Sequence, residues 1–214
     1  IRLAYTQAMD LELLVTILDL AGTFAFALVG ARIAANKGLD YGGIAFIAAV
    51  ASVSGGTLRN LFLGLKPVWI SDPWIMVAIL TAVLITLVFR RVTRIGKTLL
   101  VMDTLGLAVA TISGAHLALQ QDVAWHAAII LGAITAVTGG LLRDVLCQLE
   151  PVLLHRETIG TSSLMGAIVF VALRQSDLEL NIAALIGALV VIATRILSIY
   201  FDLHLPKFNS GKKA

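Results

Sequence analysis

Seven apolar stretches, each close to the length that crosses a lipid bilayer, follow one another along the chain with short polar breaks between them. They cover residues 11–35, 41–64, 73–90, 99–119, 123–147, 157–174 and 179–201. A membrane-spanning helix needs about 20 mostly apolar residues, and these runs are continuous, whereas the strands of a membrane barrel alternate. The pattern therefore predicts an all-α membrane protein with seven transmembrane helices.

Composition supports the same class and excludes several others. The chain is 59% hydrophobic and 14% charged, whereas soluble proteins carry about 25% charged residues. A single cysteine, Cys147, excludes a disulfide framework and a cysteine-based metal cluster. The net charge of +3 is weak evidence for nucleic-acid binding, so no nucleic-acid partner is expected. The whole of 1–214 is predicted to form one transmembrane domain.

The basic residues predict how this domain is oriented, because cytoplasmic loops of membrane proteins collect lysine and arginine. Seven spans place the two ends of the chain on opposite sides. One side holds Arg2, Lys66 and Arg174, and the other holds Arg32, Lys37, Arg90, Arg91, Arg94, Lys97, Arg156, Lys207, Lys212 and Lys213. This bias predicts a multi-pass protein of the cell inner (plasma) membrane with its N-terminus outside and a cytoplasmic tail at 202–214.

The chain also matches itself, without a gap, when it is shifted by 84 residues. Over 55–68 against 139–152, seven of fourteen positions are identical. Each repeat holds three spans, an odd number, so the second copy must enter the membrane from the opposite face. We therefore expect two inverted three-helix repeats, at 11–92 and 99–174, and one extra helix at 179–201. Inverted repeats are typical of transporters and some channels; the alternative is that duplication only builds a stable scaffold.

A glycine pair preceded by a hydroxyl residue stands at equivalent places in the second and fifth spans. The residues are Ser54, Gly55 and Gly56 in one repeat and Thr138, Gly139 and Gly140 in the other. Glycine pairs are common causes of helix kinks, and a kink exposes backbone carbonyls to a partly dehydrated cation. These six residues are therefore candidates for a pore or hinge. The alternative is close helix packing, which small residues also permit in membranes.

An arginine follows each glycine pair by one helical turn, at Arg59 and Arg143. An intramembrane arginine costs about 2.5–3.5 kcal/mol or more on insertion, so both are functional candidates for pore, gating or lipid contact. The alternative is snorkelling to the interface. The next residue differs between the repeats: Asn60 follows Arg59, whereas Asp144 follows Arg143. Since adjacent residues do not share a helix face, Asp144 is not required to pair with Arg143.

Asp19 and Asp103 are the remaining paired polar residues, in the first and fourth spans. These supporting acids either neutralise the arginines and attract cations, or accept hydrogen bonds as purely structural groups. Arg195 in the last span is expected to snorkel.

Motifs of enzymes and metal sites are missing from the sequence. It contains no nucleophile elbow, phosphate-binding loop or dinucleotide fingerprint. Its four histidines do not have the spacing of metal ligands. The chain is therefore not expected to be an enzyme, and no catalytic residue, metal or cofactor is predicted.

The twice-repeated motif resembles the trimeric intracellular cation channel (TRIC) family, in its bacterial branch. Two segments carry most of the likeness, SGGTLRNLFLGLKP at 54–67 and TGGLLRDVLCQLEP at 138–151. The segments at 19–31 and 103–115 extend it over nearly the whole chain. Family members often have a third glycine where Ser54 and Thr138 stand, and an acid where Asn60 stands. Those departures bear on ion preference and gating.

The resemblance implies a homotrimer in which each subunit has its own pore, bounded by glycine-bent second and fifth helices. It implies passive conduction of monovalent cations, potassium above all, so the expected ligands are potassium or sodium ions and bound membrane lipid. For Arg59 and Arg143 it implies gating or lipid head-group contact. An arginine beside a cation path repels the ion, so it must be neutralised by an acid such as Asp144, bound to a lipid phosphate, or turned away.

Two other functions remain open from the sequence. The first is a secondary transporter of a small zwitterion such as glycine, in which the arginine holds the carboxylate and a helix break holds the amine. The second is a structural membrane scaffold, in which Arg59 and Arg143 are replaceable by leucine.

Overall fold

The structure is a computed structural model that describes the backbone of residues 2–89, 96–149 and 158–201. Within these ranges every regular element is a helix. The elements are α1 (Arg2–Asn36), α2 (Tyr41–Phe62), α3 (Val68–Ser71), α4 (Pro73–Val88), α5 (Gly96–Gln120), α6 (Trp125–Leu146), α7 (Thr158–Gln175) and α8 (Leu180–Tyr200). The predicted all-α fold with seven long helices is confirmed.

The helix bounds differ from the predicted spans in two places. The first helix begins at Arg2, nine residues before the predicted span, and α3 is a short additional helix. The other six long helices begin and end within three residues of the predicted bounds. The predicted tail at 202–214 and the basic residues at 90, 91, 94 and 156 lie outside the described residues, so the orientation stays a prediction.

Four described helical segments are both long and apolar enough to cross a membrane: Tyr41–Phe62, Thr98–Gln120, Trp125–Leu146 and Leu180–Tyr200. Two further segments, Pro73–Val88 and Ile159–Gln175, are apolar but shorter. Large apolar side chains remain exposed along these helices, among them Leu80 and Leu84 of α4 and Leu185 and Leu189 of α8. Exposed faces of this kind suit contact with lipid or with other subunits.

Local chemistry explains where several of the helices begin and end. Asp40 accepts a hydrogen bond from the Gly43 amide at 2.7 Å and caps α2. Asp72 does the same for α4, whose first residue is Pro73, and proline suits that position because its missing N–H would have no partner there. At the other end of α4, the Arg32 guanidinium donates to the Phe89 carbonyl at 2.8 Å, which satisfies one of the free carbonyls of that helix end.

Each repeat builds its own apolar core. The first core joins α1, α2 and α4, and the other two join α5, α6, α7 and α8. The eighth helix therefore packs on the second repeat. Gly166 and Gly187 permit this close contact, because a Cβ atom at Gly166 would lie 2.1 Å from Val191 Cγ2. Between the repeats, α1 packs on α5 and α2 on α6, so equivalent helices meet across an internal pseudo-two-fold axis.

The same helix ending occurs once in each repeat, but with different residues. After α2, Gly64 has φ +69°, and the Leu65 amide donates to the Asn60 carbonyl at 2.8 Å. After α6, Gln148 has φ +51°, and the Leu149 amide donates to the Asp144 carbonyl at 2.9 Å. Glycine adopts this left-handed conformation without steric cost, whereas glutamine does not.

Replacing Gln148 with glycine is therefore expected to stabilise the protein by up to about 1 kcal/mol. For a chain of this length that corresponds to a rise in melting temperature of about 2–4 °C, measurable by thermal unfolding in detergent. The matched variant Gly64→Ala is expected to lower the melting temperature by a similar amount. A melting temperature that falls in Q148G would contradict this account of the helix ending.

Candidate functional site

Helices α2 and α6 cross in backbone contact at the first glycine of each pair. A Cβ atom at Gly55 would lie 2.0 Å from the Thr135 carbonyl oxygen, and one at Gly139 would lie 2.2 Å from the Ala51 carbonyl oxygen. The later residue of one helix faces the earlier residue of the other, so the two helices run antiparallel at this point. Neither helix is interrupted at its glycine pair. The first glycines therefore serve a close helix crossing.

The second glycines and the hydroxyl residues have different surroundings. Beside Gly56 and Gly140, a Cβ atom would meet only an arginine Nη2 atom, at 3.9 Å from Arg59 and 3.7 Å from Arg143. Thr138 Oγ1 donates to the Ile134 carbonyl at 2.6 Å. Ser54 Oγ is buried and has no hydrogen-bond partner in the described structure. Thus the second glycines leave room for the arginines, and Ser54 leaves a buried hydroxyl at the crossing.

Arg143 is held by two carboxylates. Its Nη1 atom lies 2.8 Å from Asp103 Oδ1 on α5, and its Nε atom lies 2.9 Å from Oδ1 of Asp144. The sequence did not require this second pair, because Arg143 and Asp144 are adjacent in one helix. The pair forms because the arginine side chain is long enough to fold back along its own helix.

Arg59, at the equivalent position, is held by neutral groups. Its Nε atom donates to Asn60 Oδ1 at 2.9 Å and its Nη1 atom to Ser113 Oγ at 3.2 Å. Ser113 in turn donates to Asp19 Oδ1. Asn60 is fixed by a hydrogen bond from its amide to the Lys66 carbonyl at 2.8 Å. The hydroxyl of Ser113 therefore bridges Arg59 and Asp19, where the other repeat has a direct ion pair.

Both arginines lie inside the subunit. Arg59 is 3% exposed and Arg143 is 4% exposed, and Asn60 and Asp144 are each 3% exposed. Neither guanidinium group reaches the surface of the subunit. The two guanidinium groups are accompanied by three carboxylates, those of Asp19, Asp103 and Asp144, so the combined cluster carries a net negative charge.

Each arginine borders a cavity. The Arg59 cavity has a volume of about 70 Å³, extends from α3 to the α2–α6 crossing, and is lined by Asp19, Arg59 and Ser113 among others. The Arg143 cavity has a volume of about 10 Å³ and is lined by Asp103, Arg143 and Asp144 among others. A buried water needs roughly 10–15 Å³ measured in this way. The first cavity therefore has room for several waters or a small ligand, and the second for about one water.

Ser113 is a member of the site that the sequence reasoning did not identify. Its equivalent in the first repeat is Val29, so a comparison that searches for identical pairs passes over it. A serine in the middle of an apolar span was the available signal. Arg195 shows the opposite error: it is 3% exposed, so the prediction that it snorkels is wrong.

Replacing Ser113 with valine removes the hydroxyl that Arg59 and Asp19 share, while threonine keeps both the shape and the hydroxyl. A buried polar group that loses its partner costs about 1–3 kcal/mol. We therefore expect S113V to melt several degrees below S113T in detergent. Equal melting temperatures for the two variants would show that the bridge does not stabilise the subunit.

Comparison with known proteins gives one family match. A family model described as glycine transporter matches twice, over residues 16–91 and 100–175. The two matches are themselves 84 residues apart, as the internal repeat is.

Two bacterial relatives are similar over almost the whole chain. The UPF0126 inner membrane protein YadS of Escherichia coli K12 is 34% identical over 200 residues, which cover 92% of this chain and 97% of YadS. A UPF0126 membrane protein of Vibrio cholerae is 35% identical over 208 residues, covering 96% and 87% of the two chains.

Among solved structures, the chain is similar to the TRIC trimeric intracellular cation channel orthologue from Rhodobacter sphaeroides. The TM-score is 0.83 and the identity is 34%, over 89% of this chain and 99% of the other. The matched proteins are membrane proteins named as channels and transporters. The predictions that the chain is a multi-pass inner membrane protein and not an enzyme are therefore confirmed.

Proposed function

Because the chain belongs to the TRIC family, together with the UPF0126 membrane proteins, we propose that it is a passive channel for monovalent cations. The resemblance inferred from the paired motifs is thereby confirmed. The proposed pore lies within each subunit of a homotrimer, between α2 and α6, and prefers potassium over other ions. Its ligands are permeant potassium or sodium ions and bound membrane lipid, without a cofactor.

The observation that carries this proposal is the pair of cavities on the two sides of the α2–α6 crossing, each with charged side chains. A channel interior must offer an ion polar groups that replace part of its hydration. The carboxylates of Asp19, Asp103 and Asp144 supply such groups. They also remove the objection that an arginine repels cations, because they outnumber the two guanidinium groups.

The proposed path therefore runs through the Arg59 cavity, past the crossing and through the Arg143 cavity. In the proposed orientation, with the N-terminus outside, the Arg59 cavity faces outward and the Arg143 cavity faces the cytoplasm. The roles proposed for Ser54, Thr138 and the four glycines are to form the crossing that this path passes. Arg59, Asn60, Arg143 and Asp144 set the charge on its two sides.

A second candidate function is the carriage of a small zwitterion such as glycine, and one observation favours it. The Arg59 cavity is lined by a guanidinium group and a carboxylate, from Arg59 and Asp19, and its volume of about 70 Å³ is that of a very small ligand. A zwitterion placed there would have its carboxylate on Arg59 and its ammonium group near Asp19. The family description as a glycine transporter agrees with this alternative.

One preparation distinguishes the two functions. Purified protein is placed in a planar bilayer under a potassium chloride gradient, and the same protein is reconstituted into liposomes with radiolabelled glycine outside. Discrete current steps that reverse near the potassium potential support the channel. A silent bilayer together with saturable glycine uptake supports the carrier and overturns the channel. Protein-free liposomes provide the background for both measurements.

A further inference from the structure

The two cavities of the proposed path are separated at the α2–α6 crossing. There the backbones of the two helices touch, since a Cβ atom at either Gly55 or Gly139 would lie within 2.2 Å of a carbonyl oxygen of the other helix. No atom or ion passes between backbones that are this close. A path from one cavity to the other must therefore run beside the crossing, along α1 and α5.

One side chain lines both cavities, and it is the phenyl ring of Phe26 on α1. Its neighbours each line one cavity only: Ala110 lines the Arg59 cavity, and Leu107 and Ile159 line the Arg143 cavity. Phe26 is 6% exposed. Its ring therefore lies at the boundary between the two polar regions.

The ring rests against a glycine of α5. A Cβ atom at Gly106 would lie 3.3 Å from Phe26 Cε2 and 3.4 Å from Cδ2, so any larger residue at this position would press on the ring. The residue equivalent to Phe26 in the second repeat is Ala110. The pseudo-symmetric site thus holds one large apolar side chain.

We propose that the Phe26 ring is the barrier that closes the path between the two cavities. A hydrophobic constriction excludes water, and an ion that enters it loses hydration without gaining polar contacts. Transport between the cavities requires the ring to turn away or be removed. The inference rests on the proposed function for the identity of the transported ion, but the barrier itself concerns access from one cavity to the other.

The first test is conduction by size variants of Phe26. We expect Phe26→Ala to raise potassium current at fixed voltage severalfold, Phe26→Val to raise it less, and Phe26→Leu to stay near the wild-type value. Phe24→Ala is the matched control, since Phe24 lies on the same helix but packs against the core of the first repeat. Gel filtration selects variants that remain monodisperse, and the valine variant keeps the test available if the alanine variant does not fold.

The second test measures access without relying on ion flow. Cys147 is first replaced with serine, and Val137, which lines the Arg143 cavity, is replaced with cysteine. A charged thiol reagent that does not cross membranes is then applied to either side of proteoliposomes. With Phe26 present we expect modification from one side only, and with F26A we expect modification from both sides.

The outcomes separate this inference from the proposed function. If no variant conducts cations but F26A opens two-sided access, the channel is wrong and the barrier stands. If the wild type conducts and F26A changes neither current nor access, the channel stands and the barrier is overturned.

Discussion

Replacing Gly55 with alanine is expected to be among the most damaging single changes in this protein. The new methyl group would lie 2.0 Å from the Thr135 carbonyl oxygen, and real Cβ contacts essentially never fall below 3.0 Å. The two helix backbones would have to separate by about 1 Å. Overpacking of a close contact typically costs 1–3 kcal/mol, and because both partners here are backbone we expect about 3 kcal/mol or more.

This loss corresponds to a fall in melting temperature of roughly 10 °C in detergent. Gly139→Ala should behave alike, because its methyl group would meet the Ala51 carbonyl oxygen at 2.2 Å. The matched controls are Gly56→Ala and Gly140→Ala, whose methyl groups meet no atom closer than 3.7 Å. If G55A melts no lower than G56A, the close crossing does not exist as described.

The second large effect is expected at Arg143. Its replacement with methionine keeps the length of the apolar stem but leaves the carboxylates of Asp103 and Asp144 without their guanidinium partner. Breaking a buried ion pair from one side costs about 3–5 kcal/mol, because a buried charge stays uncompensated. We expect R143M to express poorly or to melt roughly 10 °C below the wild type.

Arg59→Met is the matched comparison, because the direct partners of Arg59 are the neutral side chains of Asn60 and Ser113. Its cost should be the smaller one, about 1–3 kcal/mol for hydrogen-bonding groups that lose a partner. The double variant D103N/R143M should recover part of the stability lost in R143M. Equal melting temperatures for R143M and R59M would contradict the charge asymmetry between the repeats. Unchanged transport by stable forms of both would favour the structural scaffold.

The sequence predicted the fold well because the decisive information was local. Continuous apolar runs identify membrane helices wherever they occur, and the shift of 84 residues identified their inverted arrangement. The first helix was predicted too short for the same reason. Residues 2–10 include Arg2, Gln7 and Asp10, so hydropathy located the apolar span and not the start of the helix, which extends beyond it.

The site was predicted less completely, because its contacts depend on how the helices face one another. Asp103 and Arg143 were both recognised, but their ion pair depends on the rotation of α5 against α6. Ser113 and Phe26 were not recognised, since each differs from its repeat equivalent and a self-comparison favours positions that agree. The roles proposed for the residues that were recognised still rest on experiment.

The differences between the repeats mean that the molecule has a defined polarity along the membrane normal. A subunit with two identical halves would present the same surface to both sides and could insert either way up. Here the guanidinium at one end is held through a serine and an asparagine, and at the other through two carboxylates. Currents through the two orientations need not be equal, and recordings from randomly oriented subunits average two unlike directions. The orientation of reconstituted protein is therefore an experimental variable that must be fixed before rectification is measured.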